Sequence, residues 1–197
     1  MYFKQFYDTD LAQGSYLIGC QATGDAIVVD PRRDVGVYLA EAAANGLRVT
    51  AVTDTHIHAD YLSGARELAT ATGAALYLSN EGGAEWQYGF DHQPLLHGDV
   101  IQVGKVRFDV LHTPGHAGGL ICLYEPAGRT LLSSDHLLAG ISSNPVVEPP
   151  PPGRDERLLS LDDGLPAEGV TLLAGMYAGP QLEHLAPPLR IAIPAPQ

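Results

Sequence analysis

The stretch "TDTHIHADYLSG", residues 53–64, contains two histidines one residue apart, followed by an aspartate. It continues an apolar run, "LRVTAV", that is typical of a buried strand. Side chains alternate along a strand, so His56 and His58 point to the same side, where two imidazoles can bind one divalent metal. Asp60 adds an oxygen ligand or a carboxylate that fixes a histidine tautomer. The stretch predicts part of a metal site, yet the next residue, Tyr61, is an uncharged phenol.

Two later β-like runs end in further ligand types. "HTPGH", residues 112–116, follows one run, and its Pro-Gly turn can direct His116 towards a shared point. Asp135 ends another apolar run, "TLLSSD". The loops after strand ends are where sites in α/β folds generally form. The predicted metal ligands are His56, His58, His116 and Asp135.

The pattern of elements indicates a layered α/β fold. In the first half, strands such as "SYLIGC" and "AIVVD" alternate with the helical segments "VGVYLAEAAANG" and "YLSGARELATATG", each of which ends at a glycine. The second half contains alternating β-like runs, "DVIQVGKVRFDVL", "LICLYEP" and "RTLLSSD", separated by turns. We therefore expect mixed sheets packed face to face, with helices outside.

Length and composition limit the classes of protein to consider. The 197 residues suit a single domain, 1–197, and the proline-rich segment "NPVVEPPPPG" predicts a stiff connector at about 145–153. The apolar runs are much shorter than the roughly 20 residues of a membrane helix, and the N-terminus lacks signal-peptide features, so we expect a cytoplasmic protein without a membrane partner. A net charge of −12 with 11 scattered basic residues argues against nucleic-acid binding.

The spacing of these residues resembles the metallo-β-lactamase superfamily. The resemblance rests on "THIHADYLSG", on "HTPGH", whose His116 lies 58 residues after His58, and on Asp135, 19 residues further on. The N-terminal part, about residues 1–117, is most similar to the persulfide dioxygenase branch, including members fused to rhodanese domains. The resemblance implies a four-layer αββα sandwich with a metal at one sheet edge and, in this chain, a shortened C-terminal half.

The segment after residue 120 is similar to a different branch. "SSDHLLAGISSNPVVEP" resembles hydrolase-type members that carry a Gly-Asp-His-Leu-Leu run, with Ser134 in place of the glycine. This part of the sequence favours glyoxalase II-like proteins, which are zinc-dependent thioester hydrolases.

The resemblance also bears on the number of metal ions. In the two-zinc hydrolases three histidines hold the first metal, and an aspartate, two further histidines and a bridging carboxylate hold the second. Here Asp60 matches the aspartate, but Tyr61 replaces one histidine, and Met176 and Tyr177 occur where hydrolases place the late one. A phenol with a pKa near 10 and a thioether are poor zinc ligands. We therefore predict one metal ion.

A single metal held by His56, His116 and Asp135 resembles the 2-His-1-carboxylate triad of non-haem Fe(II) oxygenases. In the persulfide dioxygenase family the histidine corresponding to His58 lies beside the iron and need not bind it. The implied function is oxidation of a thiol persulfide, such as glutathione persulfide, by O2 to sulfite, with one Fe(II) per chain. Asp60 and the hydroxyl of Tyr61 are the predicted catalytic groups, acting through hydrogen bonds near the metal or the substrate.

Two alternatives stay open. A glyoxalase II-like hydrolase would use Zn(II) and a thioester substrate. An impaired family member would bind metal without turnover, because the segment after Asp135 is short and proline-rich. Either way the partner is a small molecule, and a homodimer is possible because dimers are common in the family.

Overall fold

The structure is a computed structural model that describes residues 1–11, 13–136, 170–173 and 189–191. Two six-stranded sheets contain all the described strands. The first sheet has the spatial order β1 to β6, and its strands are β1 (Tyr2–Asp8), β2 (Gln13–Cys20), β3 (Asp25–Val29), β4 (Arg48–Thr53), β5 (Ala75–Ser79) and β6 (Gln93–Leu95).

Two helices connect the parallel part of the first sheet. β1, β2 and β3 pair antiparallel, whereas β3 to β6 run parallel. Parallel neighbours need a crossover, and α1 (Gly36–Ala44) and α2 (Ala65–Thr72) provide two of them. The predicted glycine stops are confirmed, since Gly46 and Gly73 adopt φ values of 65° and 70°. Neither helix is long and apolar enough to cross a membrane, a finding that applies to the described residues.

The second sheet has the order β12-β11-β10-β9-β8-β7. Its strands are β7 (Val100–Val103), β8 (Val106–His112), β9 (Ile121–Glu125), β10 (Thr130–Leu132), β11 (Val170–Leu173) and β12 (Leu189–Ile191). β7 to β10 form an antiparallel meander, with a turn at Gly104 between β7 and β8, and β11 pairs parallel with β10. The alternating sequence pattern of this half correctly predicted its hairpins.

Two of the three apolar clusters among the described residues lie between layers. The core between the sheets includes the fully buried side chains of Ile27, Phe108 and Leu123. The core between the first sheet and the helices includes Leu17 and Leu68. The described residues thus form a helix, sheet, sheet arrangement of the predicted αββα sandwich with mixed sheets. The outer layer expected beyond the second sheet falls among residues outside the described ranges.

The structure differs from the sequence-based predictions at the N-terminal strand and at Asp135. The N-terminal strand β1 was not predicted, because "YFKQFYD" alternates only weakly and its side chains are only partly buried or exposed. Asp135 does not end a strand, since β10 stops at Leu132 and residues 134–136 form a single 3₁₀ turn. The proline-rich connector at 145–153 lies outside the described residues, and the single-domain interpretation stays a prediction.

Candidate metal centre

Loops from both sheets meet at one edge of the sandwich. Asp30 follows β3, residues 54–61 follow β4, residues 113–120 follow β8, and residues 133–136 follow β10. These loops bring together residues that are far apart in the sequence, as the carboxyl ends of strands do in α/β folds. The site therefore depends on the packing of the two sheets against each other.

Three of the predicted ligands converge. Nε2 of His56 lies 3.8 Å, and Nε2 of His116 3.5 Å, from Oδ2 of Asp135. One ligand atom from each of the three residues lies within 4.8 Å of the others, a spacing that one metal ion can bridge. The side chains of His56 and Asp135 are buried, whereas that of His116 is 49% exposed. The cluster is thus enclosed on one side and open to solvent on the other.

The fourth predicted ligand, His58, has a different partner. Its ring lies 4.0 Å from the ring of His56, but its Nε2 is 3.1 Å from Oδ1 of Asp30. With Asp54, these two residues form a second, more buried group of ligand-type atoms within 4.8 Å of one another. Although His58 lies beside the triad, as expected, in this arrangement it interacts with Asp30.

The protonation of the two histidines follows from their surroundings. Burial, with the neighbouring charges of His58 and His116, lowers the pKa of His56 to about 3, so its ring is neutral at neutral pH. Burial opposes charge on His58 too, but Asp30 and Asp54 outweigh it and raise its pKa to about 9. A metal ligand must offer a lone pair. His56 meets that requirement at neutral pH, whereas His58 is held as an imidazolium.

The carboxyl groups around the histidines also have pKa values that are shifted in different directions. Burial would raise the pKa of Asp30, yet His58 and the hydrogen bond from the backbone N–H of Thr55 hold it below its usual value. Burial raises the pKa of Asp54 to about 7 and also raises that of Asp135, in spite of the nearby histidines. Negative charge is thus concentrated on Asp30, opposite His58.

The two predicted catalytic residues lie in different environments. Asp60 is exposed at the outer side of the loop. Tyr61 packs its ring 4.4 Å from that of His58, and its hydroxyl accepts a hydrogen bond from Gln13 Nε2 at 3.1 Å and donates to the carbonyl of Asp30 at 3.3 Å. Burial raises the pKa of Tyr61 above its ordinary value, so the phenol stays protonated. Its hydroxyl is therefore engaged in orienting the loop beside the triad.

Sequence reasoning missed four residues that surround the triad. Asp30, Thr55 and Ser134 are buried and hydrogen-bonded to one another. Asp54 is also buried; it accepts a hydrogen bond from Ser63 and has a ligand-type atom within 4.8 Å of those of Asp30 and His58. Asp30 follows the apolar run "AIVVD" just as Asp135 follows "TLLSSD", so the same pattern could have identified it. His97 and His112 lie outside the triad. Met176 and Tyr177 are outside the described residues.

A family comparison agrees with this fold. The model of the metallo-beta-lactamase superfamily matches residues 8–170. That range includes all four predicted metal ligands and the strands β2 to β10. The chain belongs to the metallo-beta-lactamase superfamily.

Individual relatives come from two branches. A hydroxyacylglutathione hydrolase of a Polaromonas species is 41% identical over 63% of this chain and 46% of its own length. Among solved structures, a metallo-beta-lactamase from Staphylococcus aureus is 42% identical with a TM-score of 0.68, covering 71% of this chain and 44% of that one. ETHE1 from Myxococcus xanthus is 33% identical with a TM-score of 0.63, covering 70% and 58%. The chain spans about half the length of the curated relatives it matches.

Proposed function

We propose that the protein is a persulfide dioxygenase that uses one Fe(II), held by His56, His116 and Asp135. The observation that carries the proposal is the convergence of two imidazole nitrogens and one carboxylate oxygen at a half-open site. This donor set is typical of non-haem Fe(II) oxygenases, which leave other coordination positions for O2 and substrate. The neutral ring of His56 fits that role.

A second metal ion next to the triad has weaker support. A two-zinc site would need a nitrogen ligand at position 61, and Tyr61 instead holds its protonated hydroxyl on the carbonyl of Asp30. Asp60, which would be the oxygen ligand of that site, is exposed. The other ligand-type group of the described residues, around Asp30, is already occupied by the hydrogen bonds of His58 and Thr55. These features favour one metal ion per chain.

The metal and the protein have different roles in the proposed reaction. The balanced change is RSSH + O2 + H2O giving RSH, SO3²⁻ and two protons, in which the terminal sulfur is oxidised and O2 is reduced. Bound iron supplies the redox chemistry of O2 and an affinity for sulfur. The protein supplies orientation: His56 and Asp135 are fixed in the buried wall of the site, and the exposed side of His116 leaves the approach for the persulfide.

The relatives include one that supports this assignment and several that support its alternative. The similarity to ETHE1 from Myxococcus xanthus, at 33% identity over 70% of this chain, supports the dioxygenase branch that the N-terminal sequence resembles. Glutathione persulfide is the proposed substrate, because the resemblance to persulfide dioxygenases implies a thiol persulfide and the hydrolase relatives are named for a glutathione derivative. A cytoplasmic location and a homodimer are further proposals that rest on the sequence alone, and so is a role in sulfur metabolism.

Zinc-dependent thioester hydrolysis is the second candidate. It is favoured by the 41% identity to a hydroxyacylglutathione hydrolase. One Zn(II) on the same three ligands would lower the pKa of a bound water to about 7 and so provide a nucleophile. An impaired member that binds metal without turnover is the third candidate.

The candidates are separated by metal analysis combined with two assays. We expect protein purified without added metal to contain about one iron per chain, to consume O2 when glutathione persulfide is added, and to leave S-lactoylglutathione intact. Two zinc ions per chain with thioester hydrolysis and no O2 uptake would instead establish the hydrolase. Bound metal with neither activity would indicate the impaired member.

A further inference from the structure

Two hydroxyl groups connect the buried carboxylate of Asp30 to the metal-facing histidine. Oγ1 of Thr55 lies 2.9 Å from Oδ2 of Asp30 and 2.6 Å from Oγ of Ser134. Nδ1 of His56 lies 3.1 Å from the Thr55 hydroxyl and 3.3 Å from the Ser134 hydroxyl. All four residues are at most 2% exposed. The chain of contacts runs from β3 to the loop after β10 and ends on the ring that faces Asp135.

The number of available protons determines which group donates in each of these hydrogen bonds. The carboxylate of Asp30 already accepts the backbone N–H of Thr55 at 2.6 Å, and a carboxylate can only accept, so the single hydroxyl proton of Thr55 goes to it. Thr55 is also placed to donate to Ser134, but its one proton is already used, so the 2.6 Å contact between the two hydroxyls takes the proton of Ser134. Neither hydroxyl has a proton left for His56, and Nδ1 must therefore be the donor.

The result is a defined tautomer of His56. With its proton on Nδ1, the neutral ring keeps its lone pair on Nε2, the atom that lies 3.8 Å from Asp135. A hydrogen-bond acceptor behind a metal-binding histidine fixes the ring and makes it a better ligand. We propose that Ser134 and Thr55 are positioning residues that hold His56 in its metal-binding tautomer, an inference that rests on the proposed metal centre.

The backbone of Ser134 supports a role for its hydroxyl. The residue adopts a φ of 49°, in the left-handed region that favours glycine. An L-residue pays about 1 kcal/mol or more for this conformation. Glycine would relieve the strain but would leave Nδ1 of His56 with one acceptor fewer. The Ser134→Gly variant should therefore keep or gain folding stability while it loses metal affinity.

Zn(II) affinity is the direct test, measured by competition with a chromophoric chelator on the full-length chain. We expect Ser134→Ala and Ser134→Gly to bind Zn(II) about 10-fold more weakly than the wild type, or worse. Ser133→Ala is the matched control, because that buried hydroxyl bonds the carbonyl of Ser134 rather than His56, and it should keep the wild-type affinity. Thr55→Ser, which retains the hydroxyl, should also keep it.

Two further measurements separate positioning from folding. Metal-free Ser134→Gly should melt at or above the wild-type temperature, so a loss of affinity in that variant cannot come from unfolding. Long-range ¹H–¹⁵N spectra of the metal-free wild type should show His56 protonated on Nδ1, and the variant should show a mixture of tautomers.

The outcomes are distinguishable from failure of the proposed function. If Ser134→Ala and Ser134→Gly bind Zn(II) as tightly as the wild type while His56→Ala loses binding, the positioning role is wrong and the metal centre stands. If His56→Ala retains full affinity, the metal centre is misplaced and this inference fails with it.

Discussion

Tyr61 shows how one side chain limits the chemistry of the site. Its hydroxyl lies between Gln13 and the carbonyl of Asp30, and burial raises its pKa, so it offers no phenolate to a metal. Its ring packs on His58, which in turn interacts with Asp30. The position that would hold a second zinc in a hydrolase therefore contributes to the orientation of the loop.

The Tyr61→Phe variant tests this interpretation. We expect it to retain the wild-type iron content, because the triad does not include Tyr61, and to lose about 1 kcal/mol of unfolding free energy with the hydrogen bond to Asp30. Turnover of the persulfide should fall as the loop loses orientation. Iron analysis and urea unfolding provide the check; a variant that no longer binds iron would show that Tyr61 is itself a ligand.

Asp135 is the carboxylate of the proposed metal centre. We expect Asp135→Ala to lose the metal, because its carboxylate lies within 3.8 Å of Nε2 of both histidines of the triad. His97→Ala is the control, as this exposed histidine lies outside the triad. Metal content after dialysis measures both, and equal retention by the two variants would mean that the site has been misplaced.

Elements such as α2 were predictable because their signals are local. The segment "ARELATATG" combines helical spacing with a terminal glycine, and the structure places a helix at Ala65–Thr72 followed by Gly73 at a φ of 70°. The strands of the hairpins likewise carry their alternation in their own sequence. The strand β1 was not predicted, since it is stabilised by its pairing with β2 rather than by a pattern in its own sequence.

Replacement of Gly73 by alanine tests the end of α2. A Cβ at this position meets no atom within 4 Å, so the cost comes from the left-handed backbone alone. We expect a loss of about 1 kcal/mol in the urea unfolding free energy. Gly89→Ala is the matched control, because Gly89 also has open space around it but no positive φ, and should be nearly neutral. Equal losses in both variants would argue against the conformational explanation.

The whole molecule determines the site through the packing of its two sheets. Phe108 is fully buried between them, and the loops that carry the triad follow strands of both sheets. We expect Phe108→Ala to destabilise the protein by about 3–5 kcal/mol, because it leaves a cavity in this core. Leu62→Ala removes a side chain that is 68% exposed and should change stability little. Thermal unfolding compares them, and a Phe108 variant as stable as the wild type would place the core elsewhere.

The parts of the site that carry a local sequence signal could be predicted, whereas contacts between distant residues could not. His56, His116 and Asp135 could be identified because each ends or follows an apolar run. The hydrogen-bond chain through Thr55 and Ser134 could not be predicted, since these two residues lie 79 positions apart in the sequence. The partner of His58 was also hidden, because Asp30 is brought to it by the pairing of β3 with β4. Local sequence predicts the donors, whereas the fold decides which of them share a metal.

Oxygen uptake tests the central claim most directly. An oxygen electrode records the response when glutathione persulfide is added to protein loaded anaerobically with Fe(II), and sulfite is measured in the same sample. The proposed dioxygenase should consume O2 and release about one sulfite for each O2, and Asp135→Ala should abolish both signals. An iron-loaded protein that consumes no O2 with the persulfide, while it hydrolyses S-lactoylglutathione, would contradict the account.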